Sequence, residues 1–138
     1  MSERRRSILL VEDDPLISKL LCSVLQKQGY RVLPAFNAED AVAIGESHQN
    51  PVDLLLCDVV LQDGSARSVL SRLRSLRPDM RVLLLSGYEL EDLFEQELLD
   101  PAAIEDGAGF LQKPFLPAAL VQAVENVLCR EVAMTATH

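Results

Sequence analysis

A chain of 138 residues with a hydrophobic fraction of 49% suits one compact domain that buries a single sizeable core. Its formal net charge of −8 argues against nucleic-acid binding by this domain. No apolar stretch approaches the length that spans a bilayer, and the N-terminus lacks the apolar run and cleavage site of a secretory signal, so neither membrane nor export is expected.

The run Arg4, Arg5, Arg6 is expected as a solvated tail rather than a binding patch. From Ile8 to Val11 a short apolar run has the length of a buried strand. Asp14-Pro15 follows as N-cap and first helical residue, and Leu16, Ile17, Leu20, Leu21, Val24 and Leu25 recur at helical spacing until Gly29. Tyr30 to Ala35 reads as a second strand, with Pro34 marking its end or an edge position. Asn37 is placed to cap a short helix through Ala41, Val42 and Ile44.

Leu54 to Cys57 is a third buried strand, and the segment around Gln62, Asp63 and Gly64 reads as loop. A helix carrying Val69, Leu70, Leu73 and Leu76 ends before Pro78, and Val82 to Leu85 is a fourth strand. Glu89 to Leu99 reads as one strongly acidic helix. Phe110 and Leu111 form a short fifth strand, and Leu120, Val121, Val124, Val127 and Leu128 define a last helix that frays from Ala133. Cys22, Cys57 and Cys129 match no zinc spacing and sit among apolar neighbours, so buried packing in a reducing cytoplasm is expected of them.

Five strands alternating with five helices imply an α/β domain, doubly wound, with a parallel sheet covered on both faces. Such sheets gather ligands at the carboxyl ends of their strands. The residues just past those ends are Glu12, Asp13 and Asp14, then Asp58, then Ser86, then Lys113. Clustered carboxylates repel unless a proton or cation intervenes, and a hard divalent ion such as Mg²⁺ resolves the conflict. Lysine and serine can pair with phosphate oxygens, and an aspartate can itself be phosphorylated to an acyl phosphate. Each feature alone has an ordinary explanation as cap, turn residue or helix boundary; their coincidence on one sheet edge does not.

In order, Val11-Glu12-Asp13-Asp14-Pro15, Leu56-Cys57-Asp58-Val59-Val60-Leu61, Leu85-Ser86-Gly87-Tyr88 and Phe110-Leu111-Gln112-Lys113-Pro114-Phe115 resemble the response-regulator receiver family of two-component signalling. The resemblance runs from about Ser7 to about Glu131, within a single domain taken to fill residues 1–138. It implies a flavodoxin-like fold with strand order 2-1-3-4-5. It also implies Asp58 as phosphoacceptor, Asp13 as a direct Mg²⁺ ligand, Glu12 acting through water, and the backbone carbonyl of Val60 as a further metal contact. Lys113 matches the phosphate-pairing lysine, with a bond to Pro114 that is commonly cis in the family; Ser86 matches the switch hydroxyl and Phe110 the switch aromatic. Asp14 is then the helix cap, although an acidic pair shifted by one residue stays open.

The implied partners are a histidine kinase or a histidine phosphotransfer protein, and the Ser86-Gly87-Tyr88 and Phe110 to Phe115 segments look most like receivers attached to hybrid histidine kinases. Such a domain promotes its own phosphorylation and dephosphorylation without being a conventional enzyme. Gln62 stands where the family usually has proline and Ala66 where glycine is common; both are expected to affect the loop after Asp58, not the chemistry. The span from Ser86 to Lys113 is longer than typical and rich in acid, which leaves the partner of that face open. Two alternatives stand beside this reading. One is a degenerate receiver serving only as an interaction module, disfavoured because every acid and the lysine are kept. The other is a Mg²⁺-dependent aspartyl-phosphate phosphatase, which would want an aspartate where Val60 stands.

Overall fold

The computed structural model describes residues 5–47 and 49–135. Its main sheet has five parallel strands in the order β2-β1-β3-β6-β7, built from β1 (Ser7–Val11), β2 (Arg31–Ala35), β3 (Leu54–Asp58), β6 (Arg81–Ser86) and β7 (Gly109–Gln112). This is the expected order 2-1-3-4-5, with a small hairpin, β4 (Val60–Leu61) and β5 (Gly64–Ser65), lying apart from the sheet.

Alternation along the central strands divides the core in two. Leu9, Val11, Leu55, Cys57, Val82 and Leu84 face α2 (Ala38–Glu46), α3 (Ala66–Leu73), α4 (Leu90–Glu95) and α5 (Pro101–Glu105). Ile8, Leu10, Leu54, Leu56, Leu83 and Leu85 face α1 (Pro15–Lys27) and α6 (Pro117–Thr135). Burial on both faces is why these strands read as continuous apolar runs rather than alternating ones. Helices α2 and α3 approach closely at Gly45: a Cβ there would lie 2.6 Å from Leu73 Cδ1, so the buried Leu73 side chain would have to shift.

Helix α1 starts as expected, with the Asp14 carboxylate accepting from the N–H groups of Leu16 and Ile17 and Pro15 in the first turn. Gly29 follows its end with φ +94°, a conformation that suits a residue without a Cβ. The strand β2 lies at the sheet edge. The Arg31 N–H donates to the Arg6 carbonyl and the Glu12 N–H to the Ala35 carbonyl. Arg31, Leu33 and Ala35 therefore turn their backbone groups toward β1, and Pro34, which has no N–H, turns outward.

Several expectations are corrected. The acidic stretch is not one helix to Leu99: α4 ends at Glu95, Glu97 adopts φ +58°, and Asp100 caps a separate helix α5 through the N–H of Ala102. Of the segment expected as loop, Gln62 and Asp63 form the two-residue turn of the β4–β5 hairpin, and Gly64 lies in β5. Leu16 and Leu20 are exposed, because the sheet covers only the Leu21 and Leu25 side of α1, and Leu76 lies exposed beyond the end of α3. Of the cysteines only Cys57 is buried; Cys22 is half-buried and Cys129 exposed. Helix α6 continues past Ala133 to Thr135, and residues 136–138 lie outside the described residues, as does Arg4. Arg6 is not a free tail, since its guanidinium also donates to the Leu128 carbonyl at 3.5 Å.

Candidate functional site

The strands β1, β3 and β7 deliver Glu12, Asp13, Asp58 and Lys113 to one place. Pairing of Val11 with Cys57 in register puts the residues that follow, Glu12 and Asp58, side by side at the carboxyl edge. Both are buried, Glu12 at 2% and Asp58 at 6% exposure. Lys113 arrives from the far edge strand: its backbone N–H donates to the Ser86 carbonyl at 2.8 Å, and its peptide bond to Pro114 is cis. Its Nζ lies 2.8 Å from Asp58 Oδ1 and 2.9 Å from Glu12 Oε2. Oxygens of Glu12, Asp13 and Asp58 all lie within 4.8 Å of one another.

Three carboxylates face a single ammonium, an imbalance felt at the buried pair Asp58 and Glu12. Burial, then the hydrogen bond and charge of Glu12, push Asp58 up to about 8, with Lys113 opposing. Burial also works against charge on Glu12, but hydrogen bonds with Asp58, Lys113 and the Asp14 N–H hold it below its ordinary value. Burial disfavours the ammonium of Lys113, yet Asp58 and Glu12 raise its pKa overall. The pair Glu12–Asp58 therefore keeps a proton on Asp58 where one lysine is the only cation. A hard divalent ion with oxygen ligands suits this donor set and supplies the missing charge, so the cluster could hold a metal.

The remaining expected residues are placed as follows. Asp14 points into the first turn of α1 as its cap, while oxygens of Glu12 and Asp13 lie in the cluster with Asp58. Ser86 ends β6, buried, and its hydroxyl accepts the Tyr88 N–H at 2.9 Å. Val60 sits two residues past Asp58 on β4, 41% exposed. With Tyr88, Asp92, Leu93, Gln96 and Leu98 it lines a cleft of about 450 Å³ beside α4. Phe110 is half-buried on β7 and packs against the core under α2 to α5.

Two contributors were not expected. The backbone N–H of Gln62 donates to Asp13 Oδ2 at 3.2 Å, so this residue touches the acidic cluster. The Asp63 carboxylate accepts the N–H groups of Ala38 and Glu39 at 2.8 and 3.2 Å, and these bonds at the start of α2 hold its pKa down despite the cost of desolvation. Among the described residues no helix is long and apolar enough to cross a membrane.

Residues 8–125 match the family model described as the response regulator receiver domain. Over 122 residues the chain is 34% identical to the sensor kinase CckA of Brucella abortus (strain 2308), covering 88% of this chain and 12% of that protein. The solved receiver domain of the hybrid histidine kinase CckA has a TM-score of 0.72 at 29% identity, covering 88% of this chain and 98% of that one. A CheY-like response regulator receiver domain protein from Methanospirillum hungatei JF-1 has a TM-score of 0.77 at 27% identity, covering 95% of this chain and 99% of that one. The chain spans about half the length, or less, of the curated relatives it matches.

Proposed function

The chain belongs to the response regulator receiver domain family, and on that premise we propose that it takes a phosphoryl group from a phosphohistidine onto Asp58 and changes conformation in response. The donor is a histidine kinase or a histidine phosphotransfer protein. The observation that carries the reading is the setting of Asp58: buried at the end of β3, 2.8 Å from Lys113 Nζ, and within 4.8 Å of oxygens on Glu12 and Asp13.

In the transfer, an Asp58 carboxylate oxygen attacks phosphorus and the P–N bond to the donor imidazole breaks. The bonding pair returns to the ring nitrogen; with a proton already on the other nitrogen, the imidazole leaves neutral. Lys113 then pairs with a phosphoryl oxygen, and the Ser86 hydroxyl donates to another. Glu12, Asp13, Asp58 and the Val60 carbonyl would hold a Mg²⁺ ion, whose charge offsets that of the acids and of the phosphoryl oxygens. The site thus works by positioning and neutralisation rather than by proton shuttling.

Similarity to the sensor kinase CckA of Brucella abortus and to a hybrid-kinase receiver supports placing the domain in a phosphorelay. Three free cysteines accord with a cytoplasmic setting. Intact-mass measurement after incubation with acetyl phosphate and Mg²⁺ tests the reading: one phosphoryl group is expected on the wild type and none on Asp58→Asn. Full labelling of Asp58→Asn, with the adduct mapped to another residue, overturns it.

A further inference from the structure

The turn of the β4–β5 hairpin touches the site at one residue and a helix at the next. Gln62 gives its backbone N–H to Asp13 Oδ2 at 3.2 Å. Asp63 takes two N–H groups from the first turn of α2, at 2.8 Å from Ala38 and 3.2 Å from Glu39. The base of the hairpin is fixed as well, by the pairs Val60–Ser65 and Leu61–Gly64 and by the Ala66 N–H donating to the Val59 carbonyl at 2.9 Å. The turn is therefore anchored independently of the acidic cluster, and the hydrogen bond it makes to that cluster comes from a main-chain donor.

We propose that the Gln62 amide is a positioning group for the cation site: it holds the Asp13 carboxylate against the repulsion of Glu12 and ties it to the hairpin that carries the Val60 carbonyl. The inference rests on the reading of Asp13 as a cation ligand. A carboxylate oxygen has lone pairs for both an N–H and a cation, so the bond survives loading and lowers what must be ordered when the ion arrives. Donors that fix a ligating carboxylate are typically worth about ten- to a hundredfold in metal affinity. The group concerned is the amide, not the side chain. Proline, the residue usual at this position in the family the sequence resembles, cannot supply it, so this chain orients Asp13 by a bond that proline-bearing relatives do without.

The two side chains tried at position 62 separate the amide from everything else about the residue. Mg²⁺ affinity is measured by calorimetry on wild type, Gln62→Ala, Gln62→Pro and Asp13→Asn, with thermal melts in EDTA alongside. Gln62→Ala keeps the N–H and should bind Mg²⁺ as the wild type does; Gln62→Pro should bind about tenfold more weakly. Equal affinity in Gln62→Pro and wild type, while Asp13→Asn is impaired, overturns the inference and leaves the ligand assignment standing. Wild-type affinity in Asp13→Asn overturns the ligand assignment instead. A measurement on metal-free protein covers the case in which Gln62→Pro does not fold: the Gln62 amide proton resonance should move upfield in Asp13→Ala as its charged acceptor is lost, and an unmoved resonance also overturns the inference.

Discussion

Lys113 Nζ lies 2.8 Å from Asp58 Oδ1 in the unphosphorylated protein, and the same ammonium lies 2.9 Å from Glu12 Oε2. One cation from the edge strand β7 thus bridges carboxylates from β1 and β3, with its own side chain only a quarter exposed. Removing it leaves the Glu12 carboxylate buried beside Asp58 without its cation, which is costlier than losing a surface pair.

Lys113→Ala should accordingly destabilise the metal-free protein by about 3 kcal/mol at pH 8, read by denaturant melts in EDTA. Saturating Mg²⁺ should recover much of that loss, because the ion supplies charge where the lysine did. Equal destabilisation with and without Mg²⁺ would mean that the ion binds elsewhere.

The raised pKa of Asp58 makes stability depend on pH with a defined sign. A carboxyl near 3.9 when unfolded and about 8 when folded binds its proton more tightly in the native state. The cost of ionising it is absent below about pH 4, grows as pH rises, and is complete above about pH 8. Asp58→Asn should therefore match the wild type near pH 4 and be more stable by about 1–3 kcal/mol at pH 8, in EDTA. A gain independent of pH would remove the ionisation as its cause.

Asp13 and Asp14 are neighbours with separable roles. Asp13→Asn should weaken Mg²⁺ binding by about tenfold or more. Asp14→Ala should leave that affinity within about twofold and instead cost about 1 kcal/mol of stability through the lost cap of α1. The reverse pattern in a calorimetric titration would shift the acidic pair by one residue.

Ser86 holds the Tyr88 N–H through its hydroxyl, and Tyr88 lines the cleft beside α4. Turning that hydroxyl toward a phosphoryl oxygen releases the bond, so Ser86→Ala should still be phosphorylated at Asp58 but respond less. Amide NMR with beryllofluoride measures this. Shifts at Phe110 and from Leu90 to Glu95 should shrink by about half or more relative to the wild type if the serine contact supplies most of the bias between states. Undiminished shifts would rule this route out.

The sheet and the acidic edge were legible in the sequence for one reason: Ile8–Val11, Leu54–Cys57 and Val82–Leu85 are buried on both faces, so their runs are continuous, and polar residues follow each at once. The break between α4 and α5 was signalled by Asp100-Pro101, the same cap-and-proline pair that starts α1 at Asp14-Pro15, but the acidity of the stretch masked it. Helical spacing located an apolar stripe on α1 without its width: Leu21 and Leu25 are buried and Ile17 and Val24 pack beside them, while Leu16 and Leu20 lie exposed. The bond from Gln62 to Asp13 has no signature in residue type, because the donor is main chain.

Pro34 has a bearing on crowding. Along the open flank of β2 the outward positions are Val32 and Pro34, so a strand arriving from another molecule would find one N–H and then none. Such a flank cannot template a continuous ladder, and two copies meeting there gain too little to stay joined. The β2 side of the sheet is thereby guarded against the addition of a further strand.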